Sequence, residues 1–170
     1  MPSEIEIKLT FKDKSAVVKR LKALKYVLKE KFVLHDRYYG SPDTGMENTN
    51  TLVRVREKGD KSELTLKSSC KDNKNVWTRE EINVGIDDAG CTQAVLLRLG
   101  LVMIKENKSE REIWKKNGVE FMFIEYSKPS KLEMIELEAA DEKKIHSALY
   151  DFRDLVKEAG EELFKSFDRK

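Results

Sequence analysis

Cysteine is nearly missing from this chain: Cys70 and Cys91 stand far apart and without metal-ligand spacing. A disulfide-built scaffold and a thiolate zinc site are therefore not expected, and a reduced, cytoplasmic protein is. Histidine is equally scarce. His35 and His146 lie in different segments with no acidic or cysteine partner at ligand spacing, so a zinc centre is not expected. No apolar run approaches the ~20 residues of a membrane span, and the N-terminus lacks a signal-peptide core, so no membrane association is expected. Neither sign of charge dominates: Lys and Arg number 33 against 31 Asp and Glu. A dedicated nucleic-acid binder carries a clear basic excess, so nucleic acid is not an expected partner. G-x-G-x-x-G, the P-loop and the G-x-S-x-G elbow are all absent, which removes the usual nucleotide and hydrolase signatures.

What the chain does have is charge, 38% of its residues, arranged with a period. Residues 3–11 read as a strand, and 13–25 as a helix with Val17, Leu21 and Leu24 on one face and Asp13 as N-cap. A strand over 29–39 runs into the turn-rich Gly40-Ser41-Pro42-Asp43-Thr44-Gly45. Strands are expected at 51–58, 62–69 and 76–84, followed by a helix capped by Asp87 or Asp88 and closed at Gly100. Three more strands, 103–115, 119–126 and 132–139, include a hairpin at Asn117-Gly118. The segment 141–168 reads as helical with an interruption near Gly160. Successive hairpins argue for an antiparallel sheet, and eight strands favour closure into a barrel. The expected fold is thus α+β: an eight-stranded antiparallel β-barrel with helices packed outside, in a single domain over 1–170.

Side chains alternate across a strand, so Glu4, Glu6 and Lys8 share one face while Ile5 and Ile7 take the other. Arg54 and Arg56 share a face, as do Thr65 and Lys67, Arg79 and Glu81, and Glu136 and Glu138. Arg111 and Glu125 project from the two strands between. Nearly every strand therefore has one apolar and one charged face. If helices cover the apolar side, the charges line a lumen, which is costly unless they compensate one another or bind something. Arginines in that number suit a polyanion such as a phosphate chain, and clustered carboxylates suit Mg²⁺ or Mn²⁺. The alternative is a sandwich with these charges in solvent, and periodicity alone does not say which face is inside. Trp77 and Trp114 read as strand packing rather than base-stacking platforms, and Tyr38 shares a face with Asp36.

The ordered blocks resemble the CYTH superfamily, which includes class IV adenylyl cyclases, thiamine triphosphatases and inorganic triphosphatases. Glu4-Ile5-Glu6-Ile7-Lys8 matches its E-x-E-x-K signature, and His35-Asp36-Arg37-Tyr38-Tyr39 its D-x-Y-Y/F segment. Leu52–Glu57 and Leu64–Lys67 match the L-R-x-R-E and L-T-x-K blocks. Thr78–Glu81, Arg111–Trp114 and Ile135–Glu138 match the R-x-E, R-x-x-W/Y and late E-x-E strands. The resemblance implies a triphosphate tunnel with its charges inward. It makes Glu4, Glu6, Glu136 and Glu138 carboxylates of an Mg²⁺ or Mn²⁺ site, with Glu125 near the family's aspartate ligand. Lys8, Arg54, Arg56, Lys67, Arg79 and Arg111 would bind the triphosphate. Two departures stand out. The basic residue usual two positions before the R-x-x-W/Y arginine is replaced by Ser109; Lys105 and Lys108 are the nearby lysines, and Lys108 has the wrong parity unless a bulge intervenes. The stretch 126–133 also lacks the leucine-glycine turn common before the late E-x-E.

The implied activity is that of a class IV adenylyl cyclase, turning ATP into cyclic AMP and pyrophosphate. The alternative is a triphosphatase acting on thiamine triphosphate, tripolyphosphate or a nucleoside triphosphate. A non-catalytic polyphosphate-binding module ranks lower, since all four E-x-E acids are present. The expected partner is a small-molecule triphosphate, and a homodimer is compatible with the chain.

Overall fold

A computed structural model of the chain describes residues 5–43, 51–68, 71–73, 76–78 and 81–159. The elements run β1 (Ile5–Phe11), α1 (Lys14–Ala23), β2 (Val27–Gly40), β3 (Thr51–Lys58), β4 (Lys61–Ser68), β5 (Lys71–Asn73), β6 (Val76–Thr78) and β7 (Glu81–Ile86). They continue with α2 (Ala89–Arg98), β8 (Val102–Lys116), β9 (Val119–Lys128), β10 (Leu132–Ala139), α3 (Glu142–Phe152) and β11 (Val156–Glu158). The class is α+β, as expected. A nine-stranded sheet has the order β11-β1-β10-β9-β8-β2-β3-β4-β7, and β5 and β6 form a separate hairpin. Among the described residues β11 and β7 are the two ends of that order, so the pairings do not include the closure expected of a barrel.

Local chemistry accounts for the boundaries. Asp13, Asp88 and Asp141 each sit in extended backbone before a helix and accept from the amides of Ser15, Cys91 and Lys144 at 2.8–2.9 Å. Gly100 ends α2 with φ of 88°, a conformation glycine adopts without a Cβ penalty. Asn117 and Gly118 both have positive φ, as the tight β8–β9 hairpin requires. Two expectations need correction. The strand expected at 76–84 is split: β6 pairs with β5, while β7 pairs with β4. The helix expected over 141–168 ends at Phe152, and β11 follows it and adds to β1. Residues 160–170 lie outside the described residues.

The chain divides into two compact units. Unit 1 is Met1–Phe32 with Ser109–Lys170, and unit 2 is Val33–Lys108. In unit 1, Leu9, Phe121, Phe123, Ile135 and Leu137 form the apolar face of β1, β9 and β10. Val17 and Leu21 of α1 and Ile145, Ala148 and Phe152 of α3 cover it, at the i, i+3, i+4, i+7 spacing of one helix face. Phe121 packs 4.6 Å from Phe152 and 5.3 Å from Tyr26, ring centre to ring centre. The tyrosine pays for this seclusion: burial, with Asp151 adding to it, pushes its hydroxyl pKa up to about 12. Unit 2 has a smaller cluster, Tyr39, Val55, Ala89 and Leu96, between α2 and the β2–β3 face.

Candidate functional site

In each unit, the strand face turned away from the apolar cluster is charged. In unit 1, the β1–β10 register sets Glu6 opposite Glu138 and Lys8 opposite Glu136. The β9–β10 register adds Glu120 opposite Glu138 and Met122 opposite Glu136. Lys8 Nζ stands 3.5 Å from Glu6. Arg111 reaches across to Glu136 at 4.0 Å, donates through Nε to Ser109 Oγ at 3.5 Å, and touches Met122 Sδ at 3.5 Å. This face is rich in oxygen donors, with cations beside them.

Unit 2 reverses the emphasis. Its registers line up Asp36, Arg56 and Glu63 in one row and Tyr38, Arg54 and Thr65 in the next. Arg54 is 7% exposed. Its Nη2 donates to Thr65 Oγ1 at 2.9 Å, and that hydroxyl donates to Glu63 at 3.1 Å. Among the described residues, the buried Arg54 Nε has no hydrogen-bond partner. Arg56 makes a two-toothed fork onto Asp36, with Nε to Oδ1 and Nη2 to Oδ2 both at 2.7 Å. Burial pulls the Arg56 guanidinium pKa down, but the Asp36 contacts outweigh it and raise the pKa above its ordinary value. A groove of about 800 Å³ opens beside Arg56, lined among others by Lys58, Lys61, Glu63 and Asp87.

The opposite face of unit 2 carries its own ionic cluster. His35 Nε2 meets Glu106 at 2.5 Å, while Arg37 pairs with Glu57 and lies 3.5 Å from Glu106. Arg37 Nη2 also meets His35 Nδ1 at 3.1 Å. Alternation along β8 then turns Lys105 to the Asp36–Arg56 side and Lys108 to the Glu106 side.

The family model described as "CYTH domain" matches residues 2–169. The chain belongs to the CYTH domain family. It is 32% identical over 117 residues to a Methanocaldococcus jannaschii protein named "Putative adenylate cyclase MJ0240", covering 69% of this chain and 66% of that one. The chain thus spans just under two thirds of the length of that relative. Among solved structures, the PH1012 protein of Pyrococcus horikoshii is similar at a TM-score of 0.71 with 21% identity, covering 91% of this chain and 94% of its own. A Hippeastrum protein, HpAC1, reaches a TM-score of 0.73 with 18% identity, covering 98% and 96%. Identities this low speak for the fold alone.

The structure brings the family's motif residues together in two sets: Glu6, Lys8, Arg111, Glu136 and Glu138 in unit 1, Arg54 and Arg56 in unit 2. Glu4 and Arg79 lie outside the described residues, and Lys67 is placed by its backbone alone, opposite Leu52 and Glu81. Glu125 needs correction. It pairs with Glu133, so alternation turns it away from the face of Glu136 and Glu138, and its side chain meets Lys131 at 3.6 Å. Glu120 holds the like-facing position on β9 and is paired with Lys115. The strand parity of 119–126 carried that signal. Among the described residues, no three histidine, cysteine or acidic side chains converge as a metal-holding group. No helix among the described residues is long and apolar enough to cross a membrane. Trp114 packs as expected: it is 4% exposed, with its indole N–H on Glu112 at 2.7 Å.

Proposed function

We propose that this chain is an enzyme acting on a small-molecule triphosphate, built as a single domain over 1–170. The observation that carries the reading is Arg54: an arginine 7% exposed, beside Arg56, with a buried Nε–H that no acceptor among the described residues meets. A buried donor left unmet costs about 1–3 kcal/mol, which a phosphate oxygen would recover. Arg54, Arg56, Lys8 and Arg111 would bind phosphate oxygens, with Lys67 and Arg79 alongside by motif. Glu6 faces Glu138 across the β1–β10 register, and with Glu4 and Glu136 added by motif this oxygen-only donor set would suit Mg²⁺ or Mn²⁺. Such an ion supplies neutralisation of phosphate charge when bound. The protein's share is to orient the chain of phosphates and offset its charge, which is most of what phosphoryl and nucleotidyl transfer demand.

The first reading of the reaction is that of an adenylyl cyclase, in which the ribose 3′-hydroxyl attacks the α-phosphorus and pyrophosphate leaves. It follows the name of the Methanocaldococcus jannaschii relative. The second is a triphosphatase, in which water attacks the terminal phosphorus. The residues named for phosphate and metal would serve both reactions alike. The name of the Hippeastrum neighbour pairs adenylyl cyclase with a dominant triphosphatase activity, so the product must decide. Ion-exchange analysis with ATP, thiamine triphosphate and tripolyphosphate, each with Mg²⁺ or Mn²⁺, distinguishes the two. Cyclic AMP with pyrophosphate establishes the cyclase, and orthophosphate without cyclic AMP establishes the triphosphatase. Glu136→Ala with Glu138→Ala is expected to abolish turnover while sparing some phosphate binding; unchanged turnover refutes the metal assignment.

A further inference from the structure

The two arginines of unit 2 face the same way but are held differently. Among the described residues, the Arg54 Nε meets no acceptor, whereas Arg56 gives Nε and Nη2 to a single carboxylate. That carboxylate, Asp36, is 3% exposed and sits directly opposite Arg56 in the β2–β3 register. A guanidinium has five N–H donors in a rigid plane, so the fork consumes one edge and leaves Nη1 and the outer hydrogen of Nη2. The strand carrying Asp36 is tied from behind as well. Its neighbours His35 and Arg37 point to the other face and are engaged by Glu106 and Glu57. Residues 35–37 are thereby held on both faces, and the fork inherits that rigidity.

A buried acid beside an anion site works against anion affinity by simple Coulomb repulsion. Its value there is orientation.

We propose that Asp36 is a positioning residue for triphosphate recognition, locking one edge of Arg56 so that only the opposite edge meets phosphate oxygens. Asp36 disfavours a compact anion by its charge, favours a chain of phosphates by the orientation it gives Arg56, and so sharpens selectivity for the chain. The inference rests on the triphosphate reading above and adds to it a determinant of selectivity.

Calorimetric titration of the full chain with tripolyphosphate and with sulfate, at fixed ionic strength, tests it. For Asp36→Asn the ratio of the two affinities is expected to fall by roughly 10-fold or more, through weaker tripolyphosphate binding, while sulfate binding holds or tightens. Arg56→Lys keeps the charge but cannot form the fork, and is expected to lose selectivity in the same direction even if Asp36→Asn does not fold. A wild-type ratio in either folded variant overturns the inference, as does equal tightening for both anions, which would make Asp36 a simple neutraliser. Failure of the wild-type chain to bind tripolyphosphate is a different result. It removes the triphosphate reading, and the inference with it.

Discussion

The two units solve the same problem, a strand layer with one apolar and one charged face, with different means. Among the described residues, fifteen buried side chains form one cluster in unit 1 and four in unit 2. Of the eleven exposed large apolar side chains among the described residues, eight belong to unit 2, Val84, Leu97 and Leu99 among them. Apolar burial contributes roughly 25 cal/mol per Å², so that contribution is concentrated where α1 and α3 lie over β1, β9 and β10. Unit 2 has one helix for the same task and ties its strands by ion pairs on both faces of β2. Ion pairs add less than a packed core but fix direction, and direction is what a phosphate-binding face requires.

Core truncation breaks this comparison most sharply. Phe121→Ala in unit 1 is expected to cost about 3–5 kcal/mol, and Leu96→Ala in the thinner cluster of unit 2 about 2 kcal/mol, by denaturant unfolding. Equal costs would show that the small cluster of unit 2 is as consequential as the large one. Next comes the fork. Arg56→Ala strands the buried Asp36 carboxylate and is expected to cost about 3 kcal/mol, the lower end for a buried pair because Arg56 keeps some exposure. Adding Asp36→Asn should recover part of that loss; a purely additive double variant would mean the pair is not coupled.

The smallest effect belongs to Glu112 in unit 1, 8% exposed and held by Lys31 at 2.9 Å, Lys14 at 3.3 Å and the Trp114 N–H. Burial pushes its pKa up, but those partners outweigh it and the net pKa lies below the ordinary 4.5. A carboxylate with a lowered folded pKa adds stability that is present above its ordinary pKa and lost as pH falls through the folded value. Glu112→Gln is expected to lower stability by about 1.5 kcal/mol at neutral pH. The gap in melting temperature should close below about pH 4.5, and a gap constant from pH 7 to 3 would remove this assignment.

Much of the site was legible because a strand's period is two. Glu6 with Lys8, Arg54 with Arg56, and Glu136 with Glu138 could be put on common faces from sequence alone. Glu125 was misplaced although parity along its own strand sets it with Phe121 and Phe123, and the β9–β10 register pairs it with Glu133. Asp36 was visible only as part of a motif. Its hold on Arg56 depends on the β2–β3 register and on burial that no local pattern encodes.

By itself, the sequence determined the helix caps, the turns and which residues alternate. Those are set by one residue and its near neighbours: an aspartate accepting amides two or three positions on, a glycine free to take positive φ, side chains flipping at each step. Tertiary structure decided the rest. Whether 76–84 is one strand or two, where the last helix gives way to β11, and which carboxylate takes which arginine all depend on pairing between segments distant in the chain. The physical reason is that hydrogen-bond registers and desolvation are properties of two or more segments at once, and neither can be read from one.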